Sequence, residues 1–231
     1  SLATWSRVRY PHLTTGSWAS SSPVFMTPEF PYFDQFYAKK LDKIKSGCLN
    51  STKNVFDQIE QIIDSRDKDS IDELKRKFKF SPDQDDISLL YVIAEVLSLA
   101  LVEGTDLITD HCNSITLNES IETFSQIFQN FSLEFNLTVD RFDPFQYIKY
   151  PDQKSRLWVQ CNQIGWFRTS SGYLRSEKIN LEFFNRVCQN AFGINVSNSN
   201  ISNINFGGVD PYLSNALFTI GENDPYSKLS V

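Results

Sequence analysis

"NALFTIGENDPYSKLSV", Asn215 to Val231, is the stretch from which the fold is read. Ala216 to Ile220 is a short apolar run that suits a strand, and Gly221 interrupts it. A carboxylate, Asp224, follows directly before Pro225, which restricts the backbone of the residue ahead of it. The pattern is a strand that delivers an acid onto a loop. Taken alone, Asp224 is an acid in a turn.

Working outward, the two ends of the chain carry strand and helix signals in alternation. "RLWVQCNQIGWF" (Arg156–Phe167) reads as strand-like or extended, and "SEKINLEFFNRVCQNAFG" (Ser176–Gly193) as a helix ended by Gly193. At the other end, "SLATWSRVRYPHL" sets Leu2, Trp5 and Val8 on one helical face, with Pro11 closing the segment. His12 stands at that helix end, where an imidazole caps carbonyls. "TGSWASSSPV" (Thr15–Val24) reads as a short buried strand around Trp18 running into a loop. "TPEFPYF" (Thr27–Phe33) is a Pro-rich aromatic connector and a domain edge.

Between these ends, from about Asp34 to Tyr147, the pattern is helical. Val55, Ile59, Ile62 and Ile63 follow a helical period, and Ile121 to Phe131 is amphipathic. Ser70 with Glu73 reads as a capping box ahead of Leu74 and Phe78, and Ser81-Pro82 as a cap with proline at the first helical position. "ISLLYVIAEVLSLALV" (Ile87–Val102), ending near Gly104, is the most hydrophobic segment. It is shorter than the roughly 20 residues a membrane span needs, and Glu95 interrupts it, so it reads as a buried helix. "KRKFK" (Lys75–Lys79) reads as a solvated basic face. Strand and helix signals around a helical middle are the mark of an α/β fold with a helical insertion. The expected organisation is an α/β portion over residues 1–33, a helical domain over 34–155, and a second α/β portion over 156–231.

Composition narrows the function. With 231 residues, 41% apolar content and 19 Phe, 9 Tyr and 4 Trp, the chain is able to bury a sizeable core. A net charge of −6 argues against a nucleic-acid partner, which needs clustered Lys and Arg. Two histidines, without an H-E-x-x-H or C-x-x-C spacing, give no metal site and no cofactor signal. His111, beside Cys112, reads as a surface or packing residue. Four cysteines form an even set, and N-x-S/T acceptors stand at Asn50, Asn118, Asn130, Asn136, Asn195 and Asn200. Together they point to the secretory pathway. The chain holds no G-x-S-x-G nucleophile elbow.

Four stretches carry a resemblance. "SLATWSRVRYPHLTTGSWASSSPV" resembles the segment that follows the G-G-S-Y-G-G elbow of the family of prolylcarboxypeptidase, dipeptidyl peptidase II and thymus-specific serine protease. "CNQIGWFRT" (Cys161–Thr169) resembles that family's C-T-E-F-G-x-x-Q-T block, and "INFGGVDP" (Ile204–Pro211) its Y-G-G segment. "FTIGENDPYSKLSV" resembles its F-x-N-G-x-x-D-P-W-x-x-x-x-V, whose Asp is the triad acid. The resemblance implies a partial α/β-hydrolase fold with an all-helical cap domain. It further implies that these residues lie between the elbow serine and the catalytic histidine, so that the isolated chain is inactive.

The carry-over makes Asp224 the triad acid, on a loop at the sheet edge where the Leu2 to Tyr10 helix starts. Trp166 and Tyr226 would supply flat pocket walls for a proline ring, with core packing as the other reading of both. The implied disulfides are Cys161 with Cys188, beside the pocket, and Cys48 with Cys112, in the cap. Two departures from the family pattern bear on the pocket: Gln163 replaces the Glu of C-T-E, and Tyr226 the Trp of D-P-W. The implied activity is a serine exopeptidase cutting after proline or a small residue near a chain end, in a secreted or lysosomal setting. The direction, carboxypeptidase or dipeptidyl peptidase, stays open, as does a homodimer. The alternative is a catalytically inactive homologue that binds a peptide or a protein.

Overall fold

The computed structural model describes residues 1–103 and 106–231. Helix α1 (Leu2–Arg9) leads into strand β1 (Ser17–Ser20), and β2 (Thr27–Glu29) follows within the next turn of chain. Their partners come from the far end of the sequence. β3 (Gly165–Phe167) runs parallel to β2, with Thr27 opposite Gly165 and Glu29 opposite Phe167. β4 (Ala216–Thr219) runs parallel to β1 in a register that pairs Ser17 with Ala216 and Ser20 with Thr219. Parallel strands need a crossover rather than a hairpin, and here the crossover is helical. The fold is thus α/β, rich in helix, with two short parallel strand pairs.

Six helices make up most of the crossover: α2 (Tyr32–Ile44), α3 (Cys48–Ser65), α4 (Lys68–Lys77), α5 (Asp86–Glu103), α6 (Asp106–Leu117) and α7 (Ile121–Glu134). Helix α5 is the axis of the core. It is buried on every side from Ser88 to Leu101 except at Leu99, which is half-buried. A helix apolar all round must be enclosed by others, and α2, α3, α6 and α7 pack against it. Phe56, Phe78, Phe124 and Phe128 meet edge-on or tilted between α3, α4 and α7. A disulfide from Cys48 to Cys112 ties α3 to α6.

The return to the strands runs through α8 (Pro151–Val159), α9 (Leu181–Phe192) and α10 (Asn200–Phe206). The second disulfide, Cys161–Cys188, joins α9 to the segment that enters β3. α9 begins at its Asn180 cap, which accepts from the Phe183 amide at 3.1 Å, and ends where Gly193 takes a left-handed φ of 69°. Pro151 stands at the first position of α8, which crosses the 155/156 boundary drawn from sequence.

Several sequence expectations change. Arg156 to Ile164 is helical rather than extended: α8 passes into a π-turn over Gln160–Ile164, and only Gly165–Phe167 is strand. Leu157 and Cys161, four apart, are both buried, which is a helical spacing. Helix α4 is capped by Asp67, which accepts from the Ser70 amide at 3.3 Å, so Ser70 is in the first turn. Helix α5 begins at Asp86, with Asp85 accepting from the Ser88 amide at 3.0 Å; Ser81 and Pro82 belong to the preceding turn. Gly104 lies outside the described residues.

Lys75 is 2% exposed rather than solvated. The turn after α4 folds back over it, and its ammonium donates to the Pro82 and Gln84 carbonyls at 2.9 and 2.5 Å and pairs with Asp86 at 2.6 Å. On α1 the buried positions are Thr4 and Arg7, while Leu2 is exposed. Arg7, not His12, serves the carbonyls at that helix end, donating to Pro11, Thr14 and Ser214; His12 is exposed. In β1 the buried residue is Ala19, and Trp18 is 68% exposed.

His111 packs in the core between Phe124 and Phe131, with Nε2 at 2.9 Å from Thr52 Oγ1. Burial pushes its pKa down from 6.5 to about 4. Between those values the unfolded chain binds a proton that the folded chain does not, so stability declines as pH falls from 6.5 to 4. The variant His111→Gln is expected to show a shallower loss over that window in urea unfolding. Equal slopes for the two proteins would rule out a buried neutral imidazole as the cause.

Candidate active site

Asp224 lies on the loop that leaves β4. Its amide donates to the Gly221 carbonyl at 3.1 Å, and its Oδ1 accepts from the Tyr226 amide at 2.8 Å, a short turn closed by the side chain itself. The second oxygen, Oδ2, is buried and has no hydrogen-bond partner among the described residues. Buried polar atoms are nearly always bonded, so an orphaned carboxylate oxygen marks a place for a donor. Beyond the paired residues, Ser21 donates to the Thr219 carbonyl at 2.8 Å, and the α-amino group of Ser1 donates to Ser22 Oγ. The start of α1 and the Asp224 loop therefore occupy the same, carboxyl end of the β1–β4 pair.

Asp224, Trp166 and Tyr226 line one cavity of about 590 Å³. Its walls also come from α2 through Phe33 and Tyr37, from α5 through Tyr91 and Glu95, and from the chain around Phe142 and Tyr147. Trp166 is held in an unusual backbone. Gly165 has φ 68°, and a Cβ there would lie 2.1 Å from the Thr27 carbonyl oxygen, so only glycine permits the close β2–β3 approach. Trp166 follows with φ 59°, a region disfavoured for large side chains. Its indole N–H donates to the Phe25 carbonyl at 2.7 Å, and its ring stacks on Trp5 with centroids 6.4 Å apart.

One side of the cavity holds a buried charge cluster. Glu95, in the middle of α5, accepts from Arg175 Nη2 at 2.7 Å and from Arg168 Nη1. Burial pushes the Glu95 carboxyl up, but the charges of Arg168 and Arg175 and their hydrogen bonds more than offset it and hold the group below its ordinary range. Arg168 also donates to the Tyr226 hydroxyl at 2.8 Å and lies 4.0 Å over the Phe33 ring. Asp34, at the start of α2, fixes the loop that carries Arg175. It accepts from the amides of Ser171, Leu174 and Arg175 at 3.0, 3.4 and 2.8 Å, and from Ser171 Oγ at 2.6 Å. Burial raises the pKa of Tyr37, whose hydroxyl has no partner among the described residues.

Of the site residues expected from sequence, Asp224, Trp166 and Tyr226 come together. Cys161–Cys188 stands next to the cavity, between the wall residues Gln160 and Phe184; Cys48–Cys112 lies within the helical body. Asn50, Asn118, Asn130, Asn136, Asn195 and Asn200 are all exposed. Gln163 is exposed and does not line the cavity. Among the described residues no group of three His, Cys, Asp or Glu is set to hold a metal, and no helix is long and apolar enough to cross a membrane. Sequence reasoning missed Glu95, Arg168, Arg175 and Tyr37. The one available signal was a lone Glu inside an apolar helix, since a buried carboxylate requires a partner.

An acid that follows a late strand fits the chain order Ser, Asp, His of α/β serine hydrolases. Sequence comparison gives the family. The model for serine carboxypeptidase S28 matches residues 1–231, and the chain belongs to that family of serine peptidases. It is 25% identical to the probable serine protease EDA2 of Arabidopsis thaliana and 24% to the putative serine protease F56F10.1 of Caenorhabditis elegans, each over 99% of this chain. These alignments cover 48% and 51% of the two relatives, so the chain spans about half their length. The thymus-specific serine protease of Mus musculus is 33% identical over 67 residues, 27% of this chain and 13% of the relative.

Removing Glu95 strands two arginines in the interior. The variant Glu95→Ala is expected to lose about 3–5 kcal/mol of stability by denaturant unfolding, the usual cost of breaking a buried ion pair from one side. An exposed acid such as Glu134, changed to Ala, should stay within about 0.5 kcal/mol. A Glu95→Ala loss no larger than that of Glu134→Ala would show that the cluster does not hold the body together.

Proposed function

We propose that Asp224 is the acid of a Ser–His–Asp triad in a serine exopeptidase that cuts peptides after proline or a small residue near a chain end. The observation that carries this reading is the buried, unpartnered Oδ2 of Asp224 beside an aromatic-lined cavity. In the family's order the nucleophile precedes the helix that α1 represents, and the histidine follows the acid. The serine attacks the scissile carbonyl, and the imidazole takes and returns its proton. Asp224 Oδ2 accepts from the other ring nitrogen, fixing the tautomer and stabilising the imidazolium.

The cavity suits a proline ring, which has no N–H to satisfy and gains most from flat apolar walls. Trp166 and Tyr226 provide two such walls. The helices from α2 to α7 act as a cap over the substrate, since α2 and α5 supply much of the lining. Two disulfides and six exposed sequons favour a secreted or lysosomal setting.

Charge favours the carboxypeptidase direction. A dipeptidyl peptidase needs a free acid for the substrate amine, yet both oxygens of Glu95 are taken by arginines. A carboxypeptidase needs a cation, and Arg156 lines the cavity, is exposed, and has no ion-pair partner among the described residues. An inactive binding homologue fits less well, because Gln163 lies outside the lining.

Two measurements on the full-length enzyme test this reading. Asp224→Asn should leave folding nearly intact and lower turnover by about 10⁴-fold; normal turnover would end the triad assignment. N-blocked Pro-X acids should be cleaved in preference to X-Pro amides, and the reverse preference would assign the dipeptidyl direction.

A further inference from the structure

Asp224 is held through a neighbour. Tyr226 gives its backbone N–H to Asp224 Oδ1 at 2.8 Å, and at the far end of its ring the hydroxyl accepts from Arg168 Nη2, also at 2.8 Å. The ring between these two bonds stacks on Phe30 with centroids 5.6 Å apart and meets Phe33 at 5.8 Å. Arg168 is itself fixed, with Nη1 on Glu95 Oε2 and the guanidinium plane over Phe33. The loop also has turn bonds, Asp224 N–H to Gly221 O at 3.1 Å and Ser227 N–H to Asp224 O at 3.2 Å, and a second anchor further on, where the Leu229 carbonyl accepts from the Val24 and Phe25 amides; Glu222 and Asn223 are exposed. The Tyr226 amide is the one hydrogen-bond donor to the Asp224 carboxylate among the described residues.

We propose that Arg168 is a positioning residue for Asp224, acting through the Tyr226 hydroxyl, with the buried Glu95 setting the guanidinium. This rests on the reading of Asp224 as the triad acid. Arg168 gives one N–H of each terminal nitrogen to a protein acceptor, Glu95 on one side and Tyr226 on the other, and so ties the loop to α5. The two ends of the tie are matched in polarity. Arg offers donors alone, and the tyrosine hydroxyl is able to accept, whereas a Trp at that position would only donate. In the family stretches quoted above, Gln stands where this chain has Arg168 and Trp where it has Tyr226. Both departures fall on residues that touch each other here, which fits a paired change.

The test uses the full-length enzyme on a peptide substrate that it cleaves. Tyr226→Phe keeps the ring and its stacking and removes only the acceptor. Turnover is expected to fall about 10- to 100-fold, the range for displaced catalytic geometry, with KM changed by less than about twofold. A poorly placed Asp224 stabilises the imidazolium less, so the acid limb of the kcat/KM profile should move to lower pH. A purely structural role for Tyr226 would leave that limb in place. Arg168→Lys keeps a charge for Glu95 but is unable to bridge two acceptors in a fixed plane, and it should reproduce the same shift. Wild-type turnover and pH profile in both Tyr226→Phe and Arg168→Lys would overturn the positioning role while leaving the triad reading intact. Normal turnover in Asp224→Asn would overturn both.

Discussion

Glu95 is the one charged residue in the buried stretch of α5, Ser88 to Leu101. Removing a carboxylate from water costs several kcal/mol even after relaxation, and that cost is recovered only with well-placed partners. Arg168 and Arg175 are those partners, one from the end of β3 and one from the loop that Asp34 organises. The position of α5 relative to the strands is therefore not set by apolar contact alone, which is non-directional. The guanidinium–carboxylate geometry adds a directional tie between α5 and the residue that follows β3.

The same cluster links fold to site. Arg168 reaches from Glu95 to Tyr226, and Tyr226 holds the loop that bears Asp224. A charge inside the helical body thereby influences a carboxylate at the edge of the strand pair. The Gly165–Trp166 step serves this arrangement too. The close approach of β2 to β3 demands a residue without a side chain at Gly165, and the adjoining strained backbone turns the Trp166 ring towards Phe25 and Trp5. Strain of this kind is retained where the surroundings over-determine it, and such places cluster at functional sites.

The disulfides act on different levels. Cys48–Cys112 closes a loop spanning 64 positions within the helical body, and Cys161–Cys188 closes one of 27 beside the cavity. Each removes conformations from the unfolded chain, the longer loop more so. The shorter one also pins α9, whose Phe184 lines the cavity and stacks on Phe167 at 4.4 Å. Stability and site shape share that bridge.

The sequence by itself determined those elements whose signals are local. The apolar periods of α3 and α7, the long apolar run of α5, the Gly193 stop of α9 and the β4 run before Gly221 each depend on residues a few positions apart. Asp224, Trp166 and Tyr226 were singled out from the order of the four quoted stretches, and the folded chain brings the three to one cavity. Where a local pattern served two structures, only the tertiary structure decided. Arg156 to Ile164 reads as extended from its short apolar run, yet Leu157 and Cys161 are buried together as a helix, with Cys161 bonded to Cys188. Lys75 lies in a basic run, but the carbonyls that bury it belong to a turn after the helix. Glu95 is visible as an anomaly, while its partners stand 73 and 80 positions away and carry no mark of their own. Hydrophobic periodicity is written along the chain because helix and strand geometry repeats along it. Desolvation of a charge depends on what surrounds it in space, and only the folded chain supplies that.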